Sequence, residues 1–221
     1  VMPLLPAGWR AYALDQRGHG GTSAPESGYG LPALAEDVVA FLDAMGIARA
    51  VVVGHSMGSL VGQHVAAGAP ERVSRLVLVD AAFTPGNPGL AELLRAVDAL
   101  PGAVPESFAR EFQASPMHLP VPDDFFRQVV AISLGVPIHV WRGAIAGFFA
   151  PDARADLARI AAPTLLLWGE RDAVFSRGDQ EALLAGIAGS RLVTYPETGH
   201  APHWERPDEF ARDLRAFLTG G

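Results

Sequence analysis

The run GHSMG, Gly54 to Gly58, sets a serine between two glycines, directly after the apolar stretch Ala50 to Val53 and directly before a helix-like stretch ending at Ala69. A serine hydroxyl attacks an acyl carbon at neutral pH only beside a general base, and the base needs an orienting acid. A strand-to-helix turn this tight projects the hydroxyl, demands small residues two positions to either side, and forces the serine into a strained, positive-φ backbone. Gly54 and Gly58 are expected to meet that demand. The helix that follows aims its unpaired N–H groups and positive dipole end at the nucleophile, so the Met57 amide is the expected donor to an oxyanion. An ordinary glycine-containing turn is the competing reading.

Candidate partners for Ser56 lie downstream, an acid and then a histidine, each on a loop after a strand. Asp172 falls in LLLWGERDAVF and His200 in VTYPETGHAPHW, each just beyond a strand-like stretch. The bland alternatives are a helix cap for Asp172 and a surface-loop role for His200. Asp80, closing VLVD, is a second candidate for the acid, and Glu170 a third. His203 competes with His200, but Gly199 lets the loop before His200 come close, which favours His200.

The elements that must hold these groups alternate. Arg10 to Leu14 reads as a strand running into the turn-rich loop DQRGHGGTSAPESGYG, and Leu31 to Met45 as an amphipathic helix closed by Gly46. Ala50 to Val53 and Leu76 to Val79 read as strands around a helix from Ser56 to Ala69 stopped by Pro70. Strand signals return at Thr164 to Trp168 and Arg191 to Tyr195, with helices at Gln180 to Ile187 and Pro207 to Leu218. Such alternation predicts an α/β fold, with a mostly parallel sheet covered by helices on both faces. Between Phe83 and Ile160 the strand signal gives way to Pro-punctuated helical stretches. The expected organisation is therefore a core in two parts, residues 1–82 and 161–221, with a helical insertion at 83–160.

Composition narrows the partner. The 221 residues are 49% hydrophobic and 19% charged, which suits one globular domain. A net charge of -7 without a Lys/Arg cluster excludes a polyanion-binding face, so a small-molecule substrate is expected and nucleic acid is not. The chain has no cysteine, and its seven histidines form no zinc-binding spacing, so no metal and no cofactor are expected. No apolar run reaches the roughly 18 to 20 residues of a membrane span, and the first residues do not read as a signal peptide. A cytoplasmic location is the default expectation, and no signal for oligomeric state appears.

DQRGHGGTS, GHSMGSLVGQHVAAGAPERVSRLVLVD, APTLLLWGERD and TGHAPHWERPDEF, in that order, resemble the α/β-hydrolase superfamily over nearly the whole chain, in its branch of esterases, lactonases and cofactor-free haloperoxidases. The resemblance implies attack by Ser56 on an acyl carbon, His200 as base then acid, and Asp172 holding its tautomer. Dehalogenases and epoxide hydrolases of this fold carry Asp where this chain has Ser56, which counts against both. The insertion resembles the family's helical cap. Its Phe112, Met117, Trp141, Phe148 and Phe149 are candidates to line an apolar substrate pocket, with burial in the cap's own core as the alternative. His55, beside the nucleophile, is a further substrate-contact candidate that could equally be structural. His19 and His64 read as structural, His19 shaping the active-site wall.

The family also supplies strands before DQRGHG, one of them ending in a His-Gly loop that donates the second oxyanion hydrogen bond; this chain starts after that loop. The family's third strand would lie between Arg10 to Leu14 and Ala50 to Val53. A chain without these parts is expected to keep its triad but to be poorly soluble or nearly inactive. The leading functional expectation is a serine hydrolase of a small or medium carboxylic ester or lactone. The alternatives are a C–C bond hydrolase or perhydrolase, and a binding protein that keeps the fold without turnover.

Overall fold

The computed structural model describes residues 1–220; Gly221, the last residue of the expected second core segment, lies outside them. The sheet has four parallel strands in the order β1 (Ala50–His55), β2 (Val73–Val79), β3 (Thr164–Gly169) and β4 (Arg191–Tyr195). Val52 pairs with Leu76, Leu78 with Leu166, and Leu167 with Val193. β3 is buried along its whole length, so it reads as a continuous apolar run, as an inner parallel strand must.

Alternation along the strands divides the core. Leu76, Leu78 and Leu166 face α1 (Leu31–Ala44), α2 (Met57–Gly68) and a later helix, α7 (Arg177–Gly186), in one apolar cluster. Val77, Val79, Leu165 and Leu167 face the opposite way, onto Phe210, Leu214 and Phe217 of α9 (Pro207–Thr219). The short α8 (Pro202–Glu205) precedes α9. α7 begins earlier than the expected Gln180 because Ser176 and Asp179 form a reciprocal capping box, a Ser-x-x-Asp signal that the apolar periodicity alone overlooks.

Four helices separate β2 from β3: α3 (Pro88–Asp98), α4 (Glu106–Ala114), α5 (Asp123–Leu134) and α6 (Ile138–Gly147). They carry a core of their own around Val97, Val130, Val140 and Trp141. Among the described residues no single helix is long and apolar enough to cross a membrane.

The expected strand at Arg10 to Leu14 does not form; this stretch is irregular and exposed. β1, the nearest strand in sequence, pairs only with β2; Arg10 to Leu14 does not add to its other edge, and its backbone is left to solvent. On β1, Val51 and Val53 remain 39% and 48% exposed, while Val52, pointing the other way, packs on the core.

Candidate active site

The elbow follows from local sterics. The Ser56 N–H donates to Val79 O at the end of β2 (3.0 Å), and Ser56 has φ 52°, so the chain leaves β1 through a left-handed residue and enters α2 at Met57. Ser59 closes the turn by donating both its N–H (2.9 Å) and its Oγ–H (2.6 Å) to Ser56 O. Met57, as the first helical residue, has no carbonyl one turn earlier to receive its N–H, which leaves that donor free beside Ser56. The crowding is one-sided. A Cβ on Gly54 would overlap the Gly58 carbonyl, whereas a Cβ on Gly58 would meet only Gln16 Nε2, at 4.0 Å. The expectation that both glycines are sterically required is therefore corrected: Gly54 is, because it packs on backbone, and Gly58 faces open space.

The loops after β3 and β4 bring Asp172 and His200 to this turn. Ser56 Oγ–H donates to His200 Nε2 at 2.8 Å, and His200 Nδ1–H donates to Asp172 Oδ2 at 2.9 Å. The other Asp172 oxygen accepts from the N–H groups of Val174 (2.7 Å) and Phe175 (3.2 Å), so its side chain, fully buried, has both oxygens satisfied. Since a carboxylate only accepts, the proton sits on Nδ1 and leaves Nε2 free to take the serine proton. The Phe175 ring lies edge-on to the imidazole at 5.5 Å and screens it from water.

His55 is a main-chain anchor. Its Nε2–H donates to the carbonyl of His200 at 2.6 Å, and its ring meets that of His203 at a 57° tilt with centroids 4.4 Å apart. Burial, then the charges His203 and His200 would carry, pushes His55 well below the ordinary histidine range. His203 is pushed down to about 3 by burial and then by the His200 charge, and its Nδ1 is buried without a partner. Both rings are therefore neutral at physiological pH. His64 bonds to Ala153 O (3.2 Å) and His19 turns back onto Arg17 O (3.0 Å).

Asp80 also comes to the site. It is wholly buried with φ 42°; its Oδ1 accepts from Gly169 N (2.9 Å) and its Oδ2 has no partner. Burial, with the Asp172 charge next, raises its pKa well above the carboxylate range. Ligand atoms of Asp80, His55 and His200 lie within 4.8 Å of one another, but both His200 ring nitrogens are engaged by Ser56 and Asp172.

The apolar candidates from the insertion divide differently. Phe112 packs edge-on against Trp141 at 4.7 Å inside the insertion's core, and Phe148 lies in the main core. Phe149 is 43% exposed, beside Gly86. Only the Met117 stretch is placed against the histidine loop: a Cβ on Gly199 would lie 2.9 Å from the Met117 carbonyl carbon. Sequence reasoning missed Glu205, whose carboxylate accepts from four main-chain N–H groups around that loop. Its signal was an acid five residues after the histidine and just before Arg-Pro.

A parallel sheet with helices on both faces and a left-handed serine between strand and helix define the class. The chain belongs to the α/β-hydrolase fold family, whose sequence profile matches residues 1–207. It is an enzyme of that family, similar to a non-heme chloroperoxidase of Streptomyces lividans, with 31% identity covering 97% of this chain and 83% of the relative. It is also 30% identical to a pimeloyl-[acyl-carrier protein] methyl ester esterase of Neisseria meningitidis serogroup B, covering 100% of this chain and 87% of that protein. A solved structure of a hydrolase from Pseudomonas aeruginosa superposes with a TM-score of 0.80 at 33% identity, over 93% of this chain and 78% of the other.

Proposed function

We propose that the protein is a serine hydrolase that cleaves a small or medium carboxylic ester or lactone through an acyl-enzyme. One observation carries the reading: the hydrogen-bonded series from Ser56 Oγ through His200 to a buried, fully satisfied Asp172. Ser56 Oγ attacks the acyl carbon as its proton passes to His200 Nε2, and Asp172 stabilises the resulting imidazolium. The Met57 amide donates to the developing oxyanion at the positive end of α2. His200 then returns the proton to the leaving alkoxide, and the cycle repeats with water as nucleophile to release the acid. The methyl ester esterase relative supports the ester reading.

The chloroperoxidase relative favours a second reading, in which hydrogen peroxide replaces water at the second step and the acyl-enzyme is released as a peracid. Both share the acyl-enzyme, so one experiment tests them together. A p-nitrophenyl ester should give a burst of p-nitrophenol, and a fluorophosphonate should label Ser56 covalently. No label on Ser56 overturns both readings; label without turnover leaves a binding protein. Peracid formation that outpaces hydrolysis when peroxide is added selects the second.

A further inference from the structure

The loop that carries His200 is held from the insertion side as well as from the sheet. Its N–H donates to Pro116 O at 2.8 Å, across to the turn between α4 and α5. One residue earlier, Gly199 is pressed so tightly onto that turn that a Cβ would lie 2.5 Å from both Pro116 O and His118 N. Between the two segments sits the carboxylate of Glu205, the last residue of α8. Its Oε2 accepts from the N–H groups of Leu119 (2.7 Å), Gly199 (2.9 Å) and His118 (3.1 Å), and its Oε1 from Ala201 N (3.3 Å). Two of these donors belong to the insertion and two flank His200 directly.

A carboxylate has about four lone-pair sites, and four main-chain donors converge on this one. Bonds to an ionised acceptor are roughly twice as strong as neutral ones, and none of the four donors has a side-chain substitute. α8 meets the insertion a second time, where Trp204 packs edge-on against Phe125 of α5 at 5.4 Å. From the opposite side Arg206 braces the same loop, donating to Thr198 Oγ1 at 2.8 Å and to Pro196 O at 3.2 Å.

We propose that Glu205 is a positioning residue that ties the His200 loop to the Pro116–Leu119 turn, so that the insertion and the histidine move as one body. His200 must meet Ser56 and Asp172 at once, and a displacement of about 1 Å can cost about 100-fold in rate. The insertion thereby becomes part of what aligns the base. The catalytic meaning rests on the function proposed above; the tie itself does not.

Three variants and two readouts test it. Turnover of p-nitrophenyl acetate, counted per fluorophosphonate-titrated site, should fall about 100-fold in Glu205→Ala with KM changed less than about 3-fold. Glu205→Gln keeps a carbonyl oxygen for the three shorter contacts and should stay within about 5-fold of the wild type. Gly199→Ala, which pushes the turn away while leaving Glu205 in place, should reproduce the Glu205→Ala loss, and the double variant should add little. Hydrogen exchange, read without any activity, should quicken in residues 117–119 and 199–201 together in Glu205→Ala. Faster exchange in only one segment, wild-type turnover per site in Glu205→Ala, or Glu205→Gln as damaging as Glu205→Ala would each overturn the proposal. A wild-type protein that neither labels nor turns over, yet shows the coupled exchange, would sink the hydrolase reading and keep the tie.

Discussion

Ser56 Oγ and His200 Nε2 stand 2.8 Å apart although 144 positions separate them in the chain. That distance is already the one proton transfer requires, with no rearrangement of either side chain. Ser56→Ala and His200→Ala should each lower ester turnover by several orders of magnitude. The double variant should be no worse than about 3-fold below the weaker single, because residues sharing one proton transfer do not act additively. Steady-state kinetics on a p-nitrophenyl ester reads the comparison, and additive losses would mean the two groups do not share a step.

The two buried acids should behave oppositely. Asp172→Asn removes the acceptor that holds the His200 tautomer and should cost about 10,000-fold in kcat. Asp80→Asn keeps an oxygen for Gly169 N and should stay within about 5-fold of wild-type activity. Because the folded state raises the Asp80 pKa, this carboxyl destabilises the fold increasingly as pH rises above its unfolded value of about 3.9. The stability advantage of Asp80→Asn should therefore grow with rising pH in urea titrations.

The neutral histidines set an acid limit on the fold. His203 ionises in the folded chain only near about 3, and His55 too lies well below its ordinary value, whereas in the unfolded chain both titrate near about 6.5. Between these values the unfolded chain binds protons that the folded chain refuses, so stability falls as pH falls through that window. His203→Phe should flatten the decline by up to about 1.4 kcal/mol per pH unit. Urea midpoints at pH 7.5, 6.0 and 5.0 measure it; an unchanged slope would mean His203 is charged in the fold.

The two elbow glycines should separate in thermal melts. Gly54→Ala drives a methyl into the Gly58 carbonyl and should destabilise by about 1–3 kcal/mol or more. Gly58→Ala sits in open space within α2 and should be neutral or stabilising by up to about 1 kcal/mol. Equal damage from both would mean the crowding is mutual.

Trp141, 7% exposed and packed against Phe108 and Phe112, should act as core. Trp141→Ala should cost about 3–5 kcal/mol, seen as a lower urea midpoint, with little change in preference between acetate and hexanoate esters. A shifted chain-length preference at unchanged stability would return Trp141 to a pocket wall.

Features encoded within a dozen or so residues can be read from the chain alone. The apolar runs of the four strands, the Gly-Ser turn with its helix, and the order of Ser56, Asp172 and His200 were all legible, because period, turn chemistry and chain order are local properties. Arg10 to Leu14 shows where that reading ends: strand propensity is local, but a strand exists only with a neighbour to bond. Only the folded chain settles which acid bonds to His200, that burial raises the Asp80 pKa and keeps His203 neutral, that Gly58 has room where Gly54 has none, and that Glu205 gathers four amides from two distant loops. Each depends on burial or on a partner far along the chain, and those are set only when the sheet, its helices and the insertion close around the site.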